Sequence, residues 1–382
     1  MNLNNSSVVN GISTVLKAKT NRLYNKPIKP KVIAYSVTWR CNAKCPMCGL
    51  QTMPESAKNP ANELTAADIE TAFKDPALNS LDLIRFTGGE PFLKSDFTQT
   101  IDAIYRTANP KIFYITTNGS LPEKVKAFLE FFKNEDIKLN IQVSFDALSE
   151  INDKIRAIPG LSKKALETLN ILKTAKTEMP NLIAGVNQTI LRENLNEIQP
   201  MNALMREMNL EHKIYIAVNS HESTILSEGK KTFEYSLASD FNENEIHNLY
   251  DSIASISKSQ RKFKGITDIN FLWYLVEKFL WEGSKQRALK KPPYLNVPCQ
   301  AAFLYFRLMP NGDVMPCTLK PVVMGNLKKD KFSDFWYSKK ADDFRNKEVK
   351  HCAGCWVECD IVSNFVYSTK LFGYFLKNLF LT

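Results

Sequence analysis

Three cysteines lie within eight residues near the start of the chain. Cys41, Cys45 and Cys48 occur in the segment RCNAKCPMCGL at residues 40–50. Thiols at this spacing hold a metal, form disulfides or occur by chance. A cube of four irons needs four outer ligands, so three thiolates leave one iron open, and an open metal position is typical of catalysis.

Five more cysteines form a second group after 250 residues that contain none: Cys299, Cys317, Cys352, Cys355 and Cys359. The dipeptide Asn311-Gly312 predicts a hairpin that carries Cys317 on its return strand. Four thiolates at such spacing suit a structural zinc ion as well as an iron–sulfur cluster, and the residues alone leave this choice open.

A carboxylate follows two glycines in FTGGEPFL at residues 86–93. Gly88 and Gly89 permit a sharp turn or a close backbone approach. Glu90 then presents a carboxylate that can pair with an ammonium group.

Alternating strands and helices must position these residues. Short apolar runs rich in Ile, Val, Phe and Tyr predict strands at 32–37, 83–88, 111–117, 140–145, 182–190 and 213–218. Stretches at 65–73, 161–176 and 195–208 have helical periodicity, and Thr65 with Asp68 forms a capping-box signal. A further single helix is predicted over 332–346, after the hairpin of the second cysteine group. Six such units predict an α/β fold with a parallel sheet, curled or closed as a barrel. Both motifs follow predicted strands, where barrels place active sites.

Composition limits the classes of function. The chain has 382 residues, 44% hydrophobic and 24% charged, with a formal net charge of +10. Its first residues lack the pattern of a signal peptide, and we expect neither a transmembrane stretch nor a nucleic-acid-binding motif. We therefore predict a cytoplasmic protein that binds no nucleic acid. Its thiols stay reduced, which favours metal or redox chemistry over disulfides.

The C-x3-C-x2-C motif after the first strand resembles the radical S-adenosylmethionine (SAM) superfamily. This resemblance implies a partial (β/α)6 TIM-like barrel in which Cys41, Cys45 and Cys48 bind a [4Fe–4S] cluster. It also implies that SAM chelates the open iron and is cleaved to a 5′-deoxyadenosyl radical, which abstracts hydrogen from a substrate. The family often has an aromatic residue where this chain has Met47, and an apolar methionine can also shield a cluster.

The same resemblance assigns further residues to SAM. Gly88, Gly89 and Glu90 would hold its amino group, and Arg156 would meet its carboxylate. The remaining candidates are polar residues at or near strand ends that would face the ribose or the substrate: Asn118, Ser144, Asp146 and Asn187.

The second cysteine group resembles the SPASM and twitch extensions of this superfamily. A full SPASM domain uses seven cysteines for two clusters, so five predict one auxiliary [4Fe–4S] cluster. We expect Cys299, Cys317, Cys352 and Cys355 as ligands, with Cys359 spare or replacing one of them. The auxiliary cluster would relay electrons or have a structural role.

The sequence therefore predicts five segments: an N-terminal arm (1–30), a radical SAM core (31–220), a connecting and covering segment (221–298), a SPASM/twitch-like domain (299–360) and a helical tail (361–382). The predicted function is a radical SAM oxidoreductase or maturase that acts on a peptide or a sugar-like small molecule. Its electron donor would be a protein such as flavodoxin or ferredoxin. One alternative is a lipid or lipid-linked glycan substrate met at the membrane surface, because the tail mixes aromatic residues with lysines. The other is a non-catalytic zinc-binding protein.

Overall fold

The fold is that of a computed structural model, which describes residues 5–24, 26–217, 241–261, 268–289, 291, 297–317, 320, 322–352 and 358–379. The strands are β1 Val32–Thr38, β2 Leu83–Gly88, β3 Ile112–Thr117, β4 Leu139–Ser144, β5 Leu182–Ile190, β6 Glu211–Ile216, β7 Tyr305–Leu308, β8 Asp313–Met315 and β9 Gly325–Asn326. The helices are α1 Asn5–Leu23, α2 Ala66–Phe73, α3 Phe97–Thr107, α4 Pro122–Phe132, α5 Glu150–Arg156, α6 Leu161–Glu178, α7 Ile198–Met208, α8 Glu243–Gln260, α9 Ile269–Ala288, α10 Phe332–Trp336, α11 Lys339–Phe344, α12 Glu358–Val366 and α13 Lys370–Leu379.

One sheet runs in the order β6-β5-β4-β3-β2-β1-β7-β8-β9. The strands β1 to β6 are parallel, and helices connect them as predicted. Their apolar side chains are buried because each run of Ile, Val and Phe packs under a helix: Phe86 contacts Phe97 of α3, and Phe113 contacts Tyr105 of the same helix. The mixed α/β fold with a parallel core is confirmed.

Local signals fix the ends of several elements. The Thr65 and Asp68 capping box is present at the start of α2, and Gly312 turns the β7–β8 hairpin with a φ of 90°. The single helix predicted over 332–346 is wrong. There are two helices, because Ser338 caps the second by accepting a hydrogen bond from the Ala341 N–H at 3.2 Å.

The chain divides into two compact units. We call Lys29–Leu237 with Phe306–Phe335 the core unit, and Met1–Ile28, Ala238–Tyr305 and Trp336–Thr382 the flanking unit. The five segment boundaries predicted from the sequence remain predictions.

Aromatic packing holds the flanking unit together. Phe279 of α9 stacks on Phe365 of α12 with ring centroids 3.7 Å apart, and the Tyr374 hydroxyl of α13 donates to Glu282 at 2.6 Å. The N-terminal segment belongs to this unit, because the Ile28 N–H donates to the Phe303 carbonyl at 3.0 Å. None of the described helices is long and apolar enough to cross a membrane.

Candidate active site

The loop at residues 40–50, which we call the Cys loop, follows β1 at the carboxyl end of the parallel sheet. Cys45 is buried, and Cys41 and Cys48 are partly buried. Cys41 and Cys48 pack against an apolar cluster formed by Trp39, Leu50, Met53, Met309 and Met315. Met47 packs against a second cluster of Ile155, Leu191 and Ala217. Apolar side chains thus pack against two of the thiols and against Met47 of the loop.

The Gly88-Gly89-Glu90 turn lies directly on the chain that leads into the Cys loop. The Gly89 N–H donates to the Thr38 carbonyl at 2.6 Å, and the Glu90 N–H donates to the Arg40 carbonyl at 2.9 Å. A Cβ at Gly89 would overlap the Arg40 carbonyl, and Gly88 has a φ of 113° that L side chains rarely adopt. Both glycines are therefore required for the close approach that the sequence predicted.

Glu90 is fully buried with its carboxylate at the centre of a hydrogen-bond network. One oxygen accepts from the Phe92 N–H at 3.1 Å and from the Thr117 hydroxyl at 2.8 Å, and the other accepts from the Asn118 N–H at 2.6 Å. Burial raises the pKa of Glu90, and these hydrogen bonds oppose that rise. A carboxylate accepts about four hydrogen bonds. Among the described residues three positions are filled, so one remains for a ligand donor such as an ammonium group.

Arg156 reaches the Cys loop from the end of α5. Its Nη1 lies 3.8 Å from the Cys45 Sγ, and its carbonyl accepts from the Lys44 N–H at 3.0 Å. Nε and Nη2 donate to the two oxygens of Asp146 at 2.7 and 2.9 Å, a bidentate pair in which Asp146 is completely buried. The pair raises the pKa of Arg156 against the opposing effect of burial. Asp146 thus holds the guanidinium in place.

Asn118 links the third strand to the Cys loop through a residue that the sequence did not single out. The Asn118 side-chain amide donates to Oδ1 of Asn42 at 2.8 Å, and the Nδ2 of Asn42 in turn donates to the Ser120 hydroxyl at 2.9 Å. Asn42 lies between Cys41 and Cys45, so this network fixes the part of the loop that carries the thiols. Its position inside the cysteine motif was the only sequence signal for it.

Polar side chains cover the face of β3 to β6 that points away from the helices. We call Tyr114, Gln142, Asn187, Glu211 and Lys213 the inner wall. The strand register places them on one face, which is opposite to that of Phe113 because side chains alternate along a strand. The alternation of polar and apolar residues in β4 was a readable signal for this face.

Contacts across the inner wall join strands that are not neighbours in the sheet. The Tyr114 hydroxyl of β3 lies 3.3 Å from the Asn187 amide nitrogen of β5, and the Lys213 ammonium of β6 lies 5.0 Å from the Tyr114 ring centroid. Gln142 donates to Glu211 at 3.3 Å, while its own buried carbonyl oxygen has no hydrogen-bond partner among the described residues. Ser144, partly exposed at the end of β4, pairs in register with Asn187.

Burial of Cys41 and Cys45 favours the protonated form of these two thiols. Burial raises the pKa of Cys41 to about 12, and it also raises the pKa of Cys45. In the described part of the chain, no three Cys, His, Asp or Glu side chains converge on a common metal position. The donor set still fits an iron–sulfur group with one open iron: three soft thiols on one apolar-lined loop beside a carboxylate with a free acceptor position.

The second cysteine group is described in part. Cys299 and Cys352 of the flanking unit lie close enough to interact electrostatically, and the Cys299 Sγ lies 3.7 Å from the Tyr305 hydroxyl. Cys317 follows β8 in the core unit. Cys355 and the side chain of Cys359 lie outside the described residues. The auxiliary ligand set therefore remains a prediction.

Comparison with known families gives two matches along the chain. The model of the radical SAM superfamily matches residues 35–199, and the model of SPASM, an iron–sulfur cluster-binding domain, matches residues 299–356. The AdoMet-dependent heme synthase of Methanosarcina barkeri is 25% identical over 346 residues, which are 85% of this chain and 91% of that protein. The subtilosin biosynthesis protein AlbA of Bacillus subtilis is 23% identical over 319 residues, 81% of this chain but only 60% of AlbA.

Solved structures share the fold at low sequence identity. SuiB of Streptococcus suis, bound to its precursor peptide SuiA, aligns with a TM-score of 0.57 and 16% identity over 89% of this chain and 72% of SuiB. Native anSMEcpe with bound AdoMet aligns with a TM-score of 0.56 and 14% identity over 92% of this chain and 98% of that chain. These likenesses support the architecture.

Proposed function

This chain is a radical SAM superfamily protein with a C-terminal SPASM domain, and we propose that it cleaves SAM reductively to abstract hydrogen from a peptide or a hydroxyl-rich small molecule. A [4Fe–4S] cluster with an open iron supplies the electron for that cleavage when bound. Cys41, Cys45 and Cys48 would hold the cluster. One auxiliary [4Fe–4S] cluster would take Cys299, Cys317, Cys352 and Cys355, with Cys359 as a spare.

The observation that carries the proposal is the convergence of two distant segments on the Cys loop. The Glu90 N–H binds the Arg40 carbonyl, and the Arg156 guanidinium touches Cys45. An amino acid cosubstrate bound at the open iron would present an ammonium group and a carboxylate. Glu90 has one acceptor position for the ammonium group, and Arg156 supplies a cation for the carboxylate. Asp146 keeps that cation oriented.

Other predicted residues take supporting roles in this proposal. Asn118 donates from its backbone to Glu90 and from its side chain to Asn42, so it orders both the carboxylate and the loop. Ser144, the last residue of β4, lies beside Asn187, three residues before the end of β5, where a ribose or substrate would approach. Gly88 and Gly89 allow the close turn that brings Glu90 against the residues following β1.

The inner wall favours a polar substrate. It contains a phenol, two carboxamides, a carboxylate and an ammonium group, and the Gln142 oxygen is a buried acceptor without a described partner. Burying an unpaired polar group costs free energy that a hydrogen-bonding ligand recovers and a hydrocarbon does not. A peptide segment or a sugar-like molecule has such donors. The peptide-bound SuiB structure, which shares this fold, is consistent with this class.

The test is anaerobic reconstitution followed by iron and sulfide analysis and a 5′-deoxyadenosine assay with SAM and dithionite. We expect about eight irons per chain and nucleoside formation that is abolished in Cys41→Ala. Cys352→Ala is the matched control: it should lose about four irons and retain SAM cleavage. Zinc in place of iron, with no nucleoside formed, would contradict the proposal and favour a zinc-binding protein.

A second candidate is the same chemistry at a membrane surface. Helix α13 exposes 37% of Phe372 and 57% of Leu376 between the exposed residues Lys370 and Lys377, while Tyr374 faces the unit interior. Such a face suits an anionic lipid surface. Deleting the whole tail would remove Phe365 from the packing of α9, so Phe372→Ser/Leu376→Ser is the cleaner variant. If the parent co-sediments with phosphatidylglycerol vesicles and this variant does not, the membrane-surface function is favoured.

The electron donor and the location remain proposals as well. A formal net charge of +10 favours the approach of an acidic protein donor, as expected for a flavodoxin or ferredoxin. We place the reaction in the cytoplasm, where low potential and free thiols are maintained. Pull-down of the reduced donor at low and high salt tests the first point.

A further inference from the structure

The N-terminal helix reaches one of the predicted auxiliary-cluster ligands. Arg22, near the end of α1, donates from Nη1 to the backbone carbonyl of Cys299. Its guanidinium also lies 5.1 Å from the ring centroid of Phe303, so a cation–π contact holds it as well. The hydrogen bond joins residues that lie 277 positions apart in the sequence.

Two further groups share this environment. The Tyr305 hydroxyl lies 3.7 Å from the Cys299 Sγ, and Tyr305 is only 4% exposed. Arg22 interacts electrostatically with the thiols of Cys299 and Cys352. An anion, Asp360, acts on Cys299 in the opposite sense. A cation, a hydroxyl and a carboxylate therefore act on Cys299 within the flanking unit, and the cation acts on Cys352 as well.

We propose that Arg22 and Tyr305 are positioning residues that raise the reduction potential of an auxiliary iron–sulfur cluster bound through Cys299 and Cys352. This inference rests on the proposed function, because it requires that the second cysteine group holds iron. The sequence treats residues 1–30 as an arm, whereas Arg22 makes this arm part of the cluster environment.

The physical reason is the change in charge on reduction. One electron enters the cluster from the reductant and no bond forms or breaks, so the cluster becomes one unit more negative. Reduction potentials of such clusters depend on nearby charge, on hydrogen bonds to sulfur and on solvent exposure. A partly buried guanidinium and a hydroxyl hydrogen bond to sulfur both favour the reduced form. Asp360 favours the oxidised form.

The experiment uses the full chain with Cys41, Cys45 and Cys48 changed to Ala, so that any remaining cluster is the auxiliary one. After anaerobic reconstitution, mediated dithionite titration followed by electron paramagnetic resonance gives the midpoint potential. Arg22→Gln should lower the ratio of reduced to oxidised cluster about tenfold at a fixed potential, which is about 59 mV for one electron. Tyr305→Phe should shift the potential in the same direction, and Asp360→Asn in the opposite one.

Lys19→Gln is the matched control, because Lys19 is an exposed cation on the same helix, and it should leave the potential unchanged. Arg22→Lys keeps the charge and should stay close to the parent even if Arg22→Gln fails to fold. Potentials that stay at the parental value in both Arg22→Gln and Tyr305→Phe, or in Tyr305→Phe if Arg22→Gln does not fold, with about four irons bound, would overturn this inference alone. A parent that binds zinc or no metal would overturn it together with the auxiliary-cluster proposal, and the iron count distinguishes the two cases.

Discussion

The buried pair between Asp146 and Arg156 offers the sharpest test of how the site is held. Asp146→Ala removes the acceptors of two guanidinium N–H groups, at 2.7 and 2.9 Å, and of the Thr189 N–H at 2.8 Å. Asp146 is completely buried and Arg156 is 8% exposed. Breaking a buried pair leaves an unpaired charge, which costs about 3–5 kcal/mol. We therefore expect the free energy of unfolding to fall by about that amount, measured by urea denaturation followed by circular dichroism.

A double variant separates the stability of the pair from its function. Asp146→Leu/Arg156→Met replaces both charges by apolar groups, a change that is often near neutral for buried pairs. It should regain most of the lost stability apart from about 1–2 kcal/mol for the Thr189 N–H. SAM cleavage should remain absent, because the cation beside Cys45 is gone.

The control for this test is Glu70→Ala, which removes an exposed pair with Lys74. It should leave both stability and SAM cleavage unchanged, since exposed pairs contribute little. Two results would refute the reasoning: an Asp146→Ala variant as stable as the parent, or a double variant that forms 5′-deoxyadenosine at the parental rate.

Three further predictions concern the turn, the sheet and the inner wall. Gly89→Ala should abolish 5′-deoxyadenosine formation because its methyl group overlaps the chain entering the Cys loop, whereas Gly373→Ala, which has nothing within 4 Å, should not. His212 is buried, and burial lowers its pKa from 6.5 to about 4. As the pH falls below 6.5, the imidazole therefore becomes protonated in the unfolded state before it does so in the folded state. The free energy of unfolding is highest above pH 6.5 with respect to this group and falls by about 3 kcal/mol towards pH 4. His212→Phe should flatten that part of the stability–pH curve, and an unaltered curve would contradict the assignment. Lys213→Met and Tyr114→Phe should retain SAM cleavage without substrate but reduce substrate turnover by about tenfold per lost hydrogen bond, measured as the ratio of product to 5′-deoxyadenosine; a parallel loss of SAM cleavage would place these residues in SAM binding instead.

Local sequence signals predicted the parallel core well. The runs at 83–88 and 182–190 coincide with β2 and β5, because apolar β-branched segments between turn residues have few other stable conformations. The Thr65 capping box and the Asn311-Gly312 hairpin were predicted for the same reason: each depends on neighbours only a few residues away.

Contacts between distant residues could not be predicted in this way. Asn42 meets Asn118 across 76 residues, and Asp146 meets a backbone N–H of β5 across 43 residues. Nothing in the local pattern distinguishes a carboxylate that orients Arg156 from one that binds a ribose. The prediction of one helix over 332–346 was wrong for a local reason. Ser338 was placed inside the helix, although serine is also a strong N-cap and here begins a second helix.

The place of β7 in the sheet has a consequence for any shortened form of the protein. β7 lies beside β1, the strand that leads into the Cys loop, and β8 and β9 extend the sheet beyond it. A chain ended before Tyr305 would leave the edge of β1 opposite β2 without a neighbouring strand, along a largely apolar strand of seven residues. Unprotected strands of this kind recruit other chains and aggregate. The β7–β8 hairpin therefore covers the edge of β1 in the core unit. The activity of a chain truncated before the hairpin would depend on self-association as much as on the reaction itself.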